Sequence, residues 1–206
     1  MSAPEPTTVR RKRAMLLLLV TVFAAPFILS WYLFHFTQLG RGGAGGSHGQ
    51  LVVPPRLLPE AVLNDPGTQG ESGLLREKWT LLYLVSGSCD QPCLQALLQM
   101  RQLRLALGRH AHRLQRALVI YGNFPPDLPA DVLKEYPGQL IMAGWAVDGE
   151  DPGRHFRLFE NDDPLRAGRL YLVDPMGNLM LAWPAGTEPG GIINDLNRLL
   201  KYSGAG

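Results

Sequence analysis

Three hydrophobic patterns divide the chain. The first is continuous: residues 14–34, AMLLLLVTVFAAPFILSWYLF, hold 21 positions without a charge. At about 1.5 Å per residue a helix of that length spans roughly 31 Å, the thickness of a bilayer's hydrocarbon core. Arg10, Arg11, Lys12 and Arg13 stand directly before it, and such a cluster stays on the cytoplasmic side while the remainder crosses. A cleavable signal peptide would have a shorter apolar stretch and a small-residue cleavage site. Here the run ends in Trp31, Tyr32, Phe34, His35 and Phe36, side chains suited to a membrane interface. The pattern predicts a cytoplasmic tail at 1–13 and an uncleaved transmembrane anchor at 14–36, with Pro26 tolerated as a kink. Residues 40–49, GRGGAGGSHG, contain six glycines in ten, so 37–53 reads as a flexible tether.

The second pattern is the short apolar run and the third is leucine at helical spacing; from residue 54 onward they alternate. KWTLLYLV (78–85) is too short for a free-standing helix and continuous enough for a buried strand. LQALLQMRQLRLAL (94–107) sets Leu94, Leu97, Leu98, Met100 and Leu105 among Gln and Arg, a helix stopped by Gly108. RALVIY (116–121) predicts a second buried strand, closed by the turn-forming GNFPPDLP. Short helices are expected over 130–136 and 154–159. RLYLVDPMGNLMLAW supplies a hairpin, with strands at 169–173 and 178–183 around a turn at Asp174, Pro175, Met176 and Gly177. An amphipathic helix over 188–202 closes the chain, with Ile192, Ile193, Leu196, Leu199 and Leu200 on one face. The order strand, helix, strand, helix, hairpin, helix calls for a single α/β domain at 54–206. Its architecture is a mixed sheet flanked by helices in the thioredoxin-like order.

Charge sharpens the location. The chain has 20 Lys+Arg and 18 Asp+Glu; without the four basic residues 10–13 and Glu5, 16 basic face 17 acidic residues. That near-neutral remainder lacks the basic surface a nucleic-acid partner requires. With the basic flank held in the cytoplasm, the domain lies outside it. The expected setting is a bacterial inner membrane with the domain in the periplasm, where disulfides form and persist.

The only two cysteines, Cys89 and Cys93, fall in SGSCDQPC (86–93), between the first strand and the first long helix. Asp90 is placed to cap that helix and Pro92 suits its first turn. Unpaired amides and the helix dipole favour a thiolate at such an entrance, while Asp90 opposes it. Two sulfurs one turn apart can join as a disulfide or grip one soft cation, copper(I) or zinc. Structural zinc would want four ligands, and no spaced second pair exists. A static disulfide closing so small a loop would add little stability. Redox pair, metal pair and structural disulfide all stay open at this point.

Together the anchor, KWTLLYLV, the C-x-x-x-C spacing, HFRLF, YLVDPMGNLM and the terminal helix resemble the Sco family. Its members are thioredoxin-fold copper chaperones and thiol reductases that assist cytochrome c oxidase assembly. The resemblance runs over roughly 54–202. MRQLRLALGRHAHRLQRALVIYG (100–122) in particular resembles small Sco-related membrane proteins that accompany proteobacterial oxidase assembly factors. It implies copper(I) as the metal for Cys89 and Cys93, and an oxidase subunit or another oxidase assembly factor as partner. Two departures stand out. Copper-binding members carry a histidine shortly before the strand that reads RLYLVD here, and Arg166, which cannot coordinate copper, occupies that place. The family commonly has proline directly after the first cysteine, whereas Asp90 follows Cys89 here; nor does a proline precede RLYLVD.

With that histidine replaced, thiol exchange is the favoured activity: Cys89 attacks a partner's disulfide and Cys93 resolves the mixed disulfide. The alternative is a non-catalytic interaction module with a structural or idle cysteine pair. Elsewhere, His110 and His112 read as a solvated basic helix end, and His155 as a surface histidine within reach of a metal role. Asp162 and Asp163 read as a polar loop, and Trp79, Trp145 and Trp183 as packing residues.

Overall fold

The structure, a computed structural model, describes residues 6–36, 47–59, 63–64, 75–122, 132–144 and 153–204. The chain forms two compact units, Met1–Gly46 and Ser47–Gly206. In the first, helix α1 runs Pro6–Phe36 with Pro26 inside it, and its Arg11–Tyr32 stretch is long and apolar enough to cross a membrane.

In the second unit the strands are β1 (Gln50–Leu57), β2 (Leu63–Asn64), β3 (Trp79–Ser86), β4 (Leu114–Tyr121), β5 (Gln139–Gly144), β6 (Leu170–Val173) and β7 (Asn178–Trp183). The helices are α2 (Gln91–Ala106), α3 (Val132–Glu135) and α4 (Pro189–Tyr202). All seven strands join one sheet in the order β1-β7-β6-β3-β4-β5-β2. Strands β3, β4 and β5 are parallel, and β6, β7 and β1 follow antiparallel beyond β3. This is the thioredoxin-like mixed sheet the alternation predicts.

Departures from the sequence pattern are local. α2 begins at Gln91 because Asp90 caps it. Residues 154–159 yield only a 3-10 turn, Arg154–Phe156. Three paired strands were not anticipated: β5, the two-residue β2, and β1, which starts at Gln50 inside the glycine-rich segment's expected span. β5 is QLIMAG, an apolar run after the Pro137-Gly138 turn, and it is short enough to be overlooked between polar loops. Trp145 lies outside the described residues, whereas Trp79 and Trp183 are core residues as expected.

The sheet buries both faces. α2 and α4 cover one, packing Cys93, Leu97, Met100, Ile192 and Leu196 on Leu81, Leu118, Leu172 and Trp183. Each such aliphatic side chain stabilises the fold by roughly 1.5–3 kcal/mol. The other face is covered by Leu58, Leu75 and Phe156, whose ring meets Tyr171 edge-on at 5.3 Å.

One polar group lies inside the first of these layers. Asp195, on the buried side of α4 and 6% exposed, accepts hydrogen bonds from Trp183 Nε1 (2.9 Å), His48 N (2.8 Å), Gly49 N (3.0 Å) and Ser47 Oγ (3.1 Å). Burial alone would raise its pKa; those donors outweigh it and hold the carboxyl below the usual range. Gly49 is required here because a Cβ would stand 2.7 Å from the Trp183 indole nitrogen.

Candidate functional site

β3 ends at Ser86, and the chain leaves the sheet at Gly87, whose φ of +80° is costly for any residue with a Cβ. Gly87 N donates to Tyr121 O at 2.8 Å, tying the loop to the end of β4. Asp90 then starts α2, its side chain accepting from Cys93 N at 3.2 Å, with Pro92 in the first turn where no amide hydrogen is needed. This local chemistry fixes both cysteines. Cys93 is in the first turn and fully buried; Cys89 precedes the cap and is partly exposed. Their Cα atoms are 5.2 Å apart and the sulfurs are joined in a disulfide, within the ordinary span for such a bond.

The helix entrance offers partial positive charge to a sulfur anion, and Asp90 opposes it. The same carboxylate reaches the buried Tyr83, whose pKa is raised first by burial and then by Asp90. Tyr83 also borders the segment leading into β6: a Cβ on Gly168 would come within 3.9 Å of its hydroxyl. Residues 166–169 therefore pass the same end of β3 as the cysteine loop.

Beside the loop opens a cleft of about 370 Å³ lined by Ser86, Arg157, Asp162, Asp163, Leu165 and Arg166. Asp162 and Asp163 do not share one role. Asp162 is buried and accepts from Arg169 Nη1 at 2.5 Å and from Leu158 N at 2.9 Å. Burial pushes its pKa up, but the Arg169 bond and the Leu158 amide bring it below the ordinary value. The polar-loop reading missed this pair, whose sequence signal is only a carboxylate seven residues before an arginine at a strand start. Asp163 is exposed and meets Arg166 Nε at 3.5 Å, with the Arg166 side chain 89% exposed.

The remaining candidates lie apart. His110 and His112 sit in the 3-10 turn Gly108–Arg113 after α2, with Arg109 Nε directed at His110 Nε2 at 3.3 Å. His155 belongs to the turn that Phe156 anchors on the opposite sheet face from Cys93. Copper(I) would need both sulfurs released from their disulfide. Among the described residues no three His, Cys, Asp or Glu side chains converge, so the two sulfurs are the soft donors there that would hold the ion.

Sheet order, the helix-borne cysteine loop and the β6–β7 hairpin define a thioredoxin-like protein. Residues 79–203 match the family described as transmembrane-like, thioredoxin-like, C-terminal domain, and the chain belongs to that family. A search of curated proteins found no match. Among solved structures it is similar to BsSco, a member of the Sco family of cytochrome c oxidase assembly proteins. That similarity has 16% identity and a TM-score of 0.52 over 75% of this chain and 99% of BsSco. It is also similar to yeast Sco1 with copper bound, at 19% identity and a TM-score of 0.50 over 78% of this chain and 96% of Sco1. The resemblance read from the sequence holds at the level of fold.

Proposed function

We propose that this chain is a membrane-anchored thiol–disulfide exchange factor of the Sco type, acting in assembly of a respiratory oxidase. The observation that carries the reading is the asymmetry of one cysteine pair: a partly exposed Cys89 joined to a fully buried Cys93 at a helix entrance. In the reduced chain the Cys89 thiolate attacks a partner's disulfide. A Cys89–partner disulfide forms, and one partner sulfur leaves as thiolate. The Cys93 thiolate then attacks Cys89 Sγ, re-forming the intramolecular bond and releasing the second partner thiolate. Two electrons pass to the partner, and a dithiol reductant on the same side of the membrane restores the chain.

BsSco's place among oxidase assembly proteins supports the choice of partner, an oxidase subunit or another assembly factor. The basic residues 10–13 and the span at 14–36 support a cytoplasmic N-terminus and a periplasmic domain in a bacterial inner membrane. Copper(I) handling at Cys89 and Cys93 is the weaker form of the proposal because Arg166, which cannot coordinate copper, stands where the sequence resemblance expects a third ligand. The complete burial of Cys93 favours one rival, a non-catalytic module with a structural disulfide.

Detergent-solubilised full-length protein, equilibrated across glutathione redox buffers and alkylated for mass spectrometry, tests the reading. A single two-electron transition is expected, with glutathione trapped on Cys89 in a Cys93→Ser variant. A pair that stays oxidised across the whole series selects the structural module. Loss of oxidase activity in a deletion strain, not restored by added copper, would support exchange over copper delivery.

A further inference from the structure

The cleft beside the cysteine loop carries an inference about what the pair exchanges with, and it rests on the exchange reading above. Its lining carries two arginines, Arg157 and Arg166, and two carboxylates, Asp162 and Asp163. The Asp162 carboxylate is committed to Arg169 inside the fold. Among the described residues the Arg166 side chain has one ion pair, a long contact through Nε to an exposed carboxylate. An exposed pair of that kind contributes little and exchanges readily with other acceptors. The guanidinium keeps its two terminal nitrogens, the pair best matched to a carboxylate, for another acceptor.

The cleft's size suits one side chain, being near the lower bound of small-molecule sites. Ser86 lines it and is three residues from Cys89, so Cys89 lies within about 11 Å of extended chain. We propose that Arg166 and this cleft receive an acidic side chain of the substrate protein, placed within about three residues of the cysteine that Cys89 attacks. The position that a copper-binding relative gives to a ligand serves here for choosing the polypeptide.

The test uses reduced full-length protein in detergent and two peptides whose single cysteine is activated as a 2-thiopyridyl disulfide. One has Glu two residues before the cysteine and the other has Gln there. Attack by Cys89 releases 2-thiopyridone, which is followed by stopped-flow absorbance. At low ionic strength the Glu peptide should react about 2- to 5-fold faster, as expected for one partly screened charge pair. The preference should shrink as salt rises. Arg166→Glu should reverse the order, and Asp163→Asn, which removes the competing carboxylate, should widen it. Equal rates for the two peptides, or a Glu preference that survives Arg166→Glu, would overturn the carboxylate site. No thiopyridone release from either peptide would instead overturn the exchange reading itself.

Discussion

Asp162 and Asp163 are adjacent in sequence and opposite in consequence. Asp162 points inward to a largely covered Arg169 and ties the loop before β6 to the fold; Asp163 points outward to an exposed Arg166 at 3.5 Å. Coulomb attraction is screened by water in the second pair and far less so in the first. One acid–arginine pair therefore holds structure, while its neighbour stays available for recognition. Residue type does not separate them, but solvent does.

Breaking the inner pair gives the largest expected effect. Asp162→Ala leaves the largely covered Arg169 without its acid and should cost about 2–3 kcal/mol of stability, read as a lower urea midpoint by tryptophan fluorescence. An unchanged midpoint would mean that the pair is not structural. Asp195→Asn comes next, at about 1–3 kcal/mol near neutral pH, because a neutral amide cannot serve the same four donors. Both carboxyls have folded-state pKa values below the unfolded value of about 3.9. Their contribution is complete above that pH and is lost as pH falls from there through the folded values. Stability should thus be level from pH 7 to about pH 5 and fall on further acidification, and Asp195→Asn should flatten that acid limb. Asp90→Ala removes a helix cap and should cost about 1 kcal/mol. Arg166→Ala should shift stability by less than about 0.5 kcal/mol, which closes the comparison from the other side. A large loss there would show that the outer pair is structural after all.

What the sequence made legible follows from periodicity. β3, α2, the β6–β7 hairpin and α4 announce themselves because each has an uninterrupted apolar run or stripe, and the cysteine loop follows from Asp90 and Pro92 at a strand–helix junction. β1, β2 and β5 did not, since an edge strand half in water, a two-residue strand and a six-residue strand after a turn carry too short a pattern. Asp195 depends on partners far along the chain, such as His48, 147 residues away, whereas Asp162 meets Arg169 only seven residues on, a spacing that by itself announces nothing. One clue to Asp195 does lie in the sequence. It falls on the Ile192–Leu196 side of an amphipathic helix, where a carboxylate must find donors.

The Asp195 clasp has a mechanical consequence. Tension applied to the chain at Ser47 would load the bonds that Ser47, His48 and Gly49 make to Asp195 before it could peel β1 from β7. The clasp would then act as a strain relief for the sheet that carries the cysteine loop.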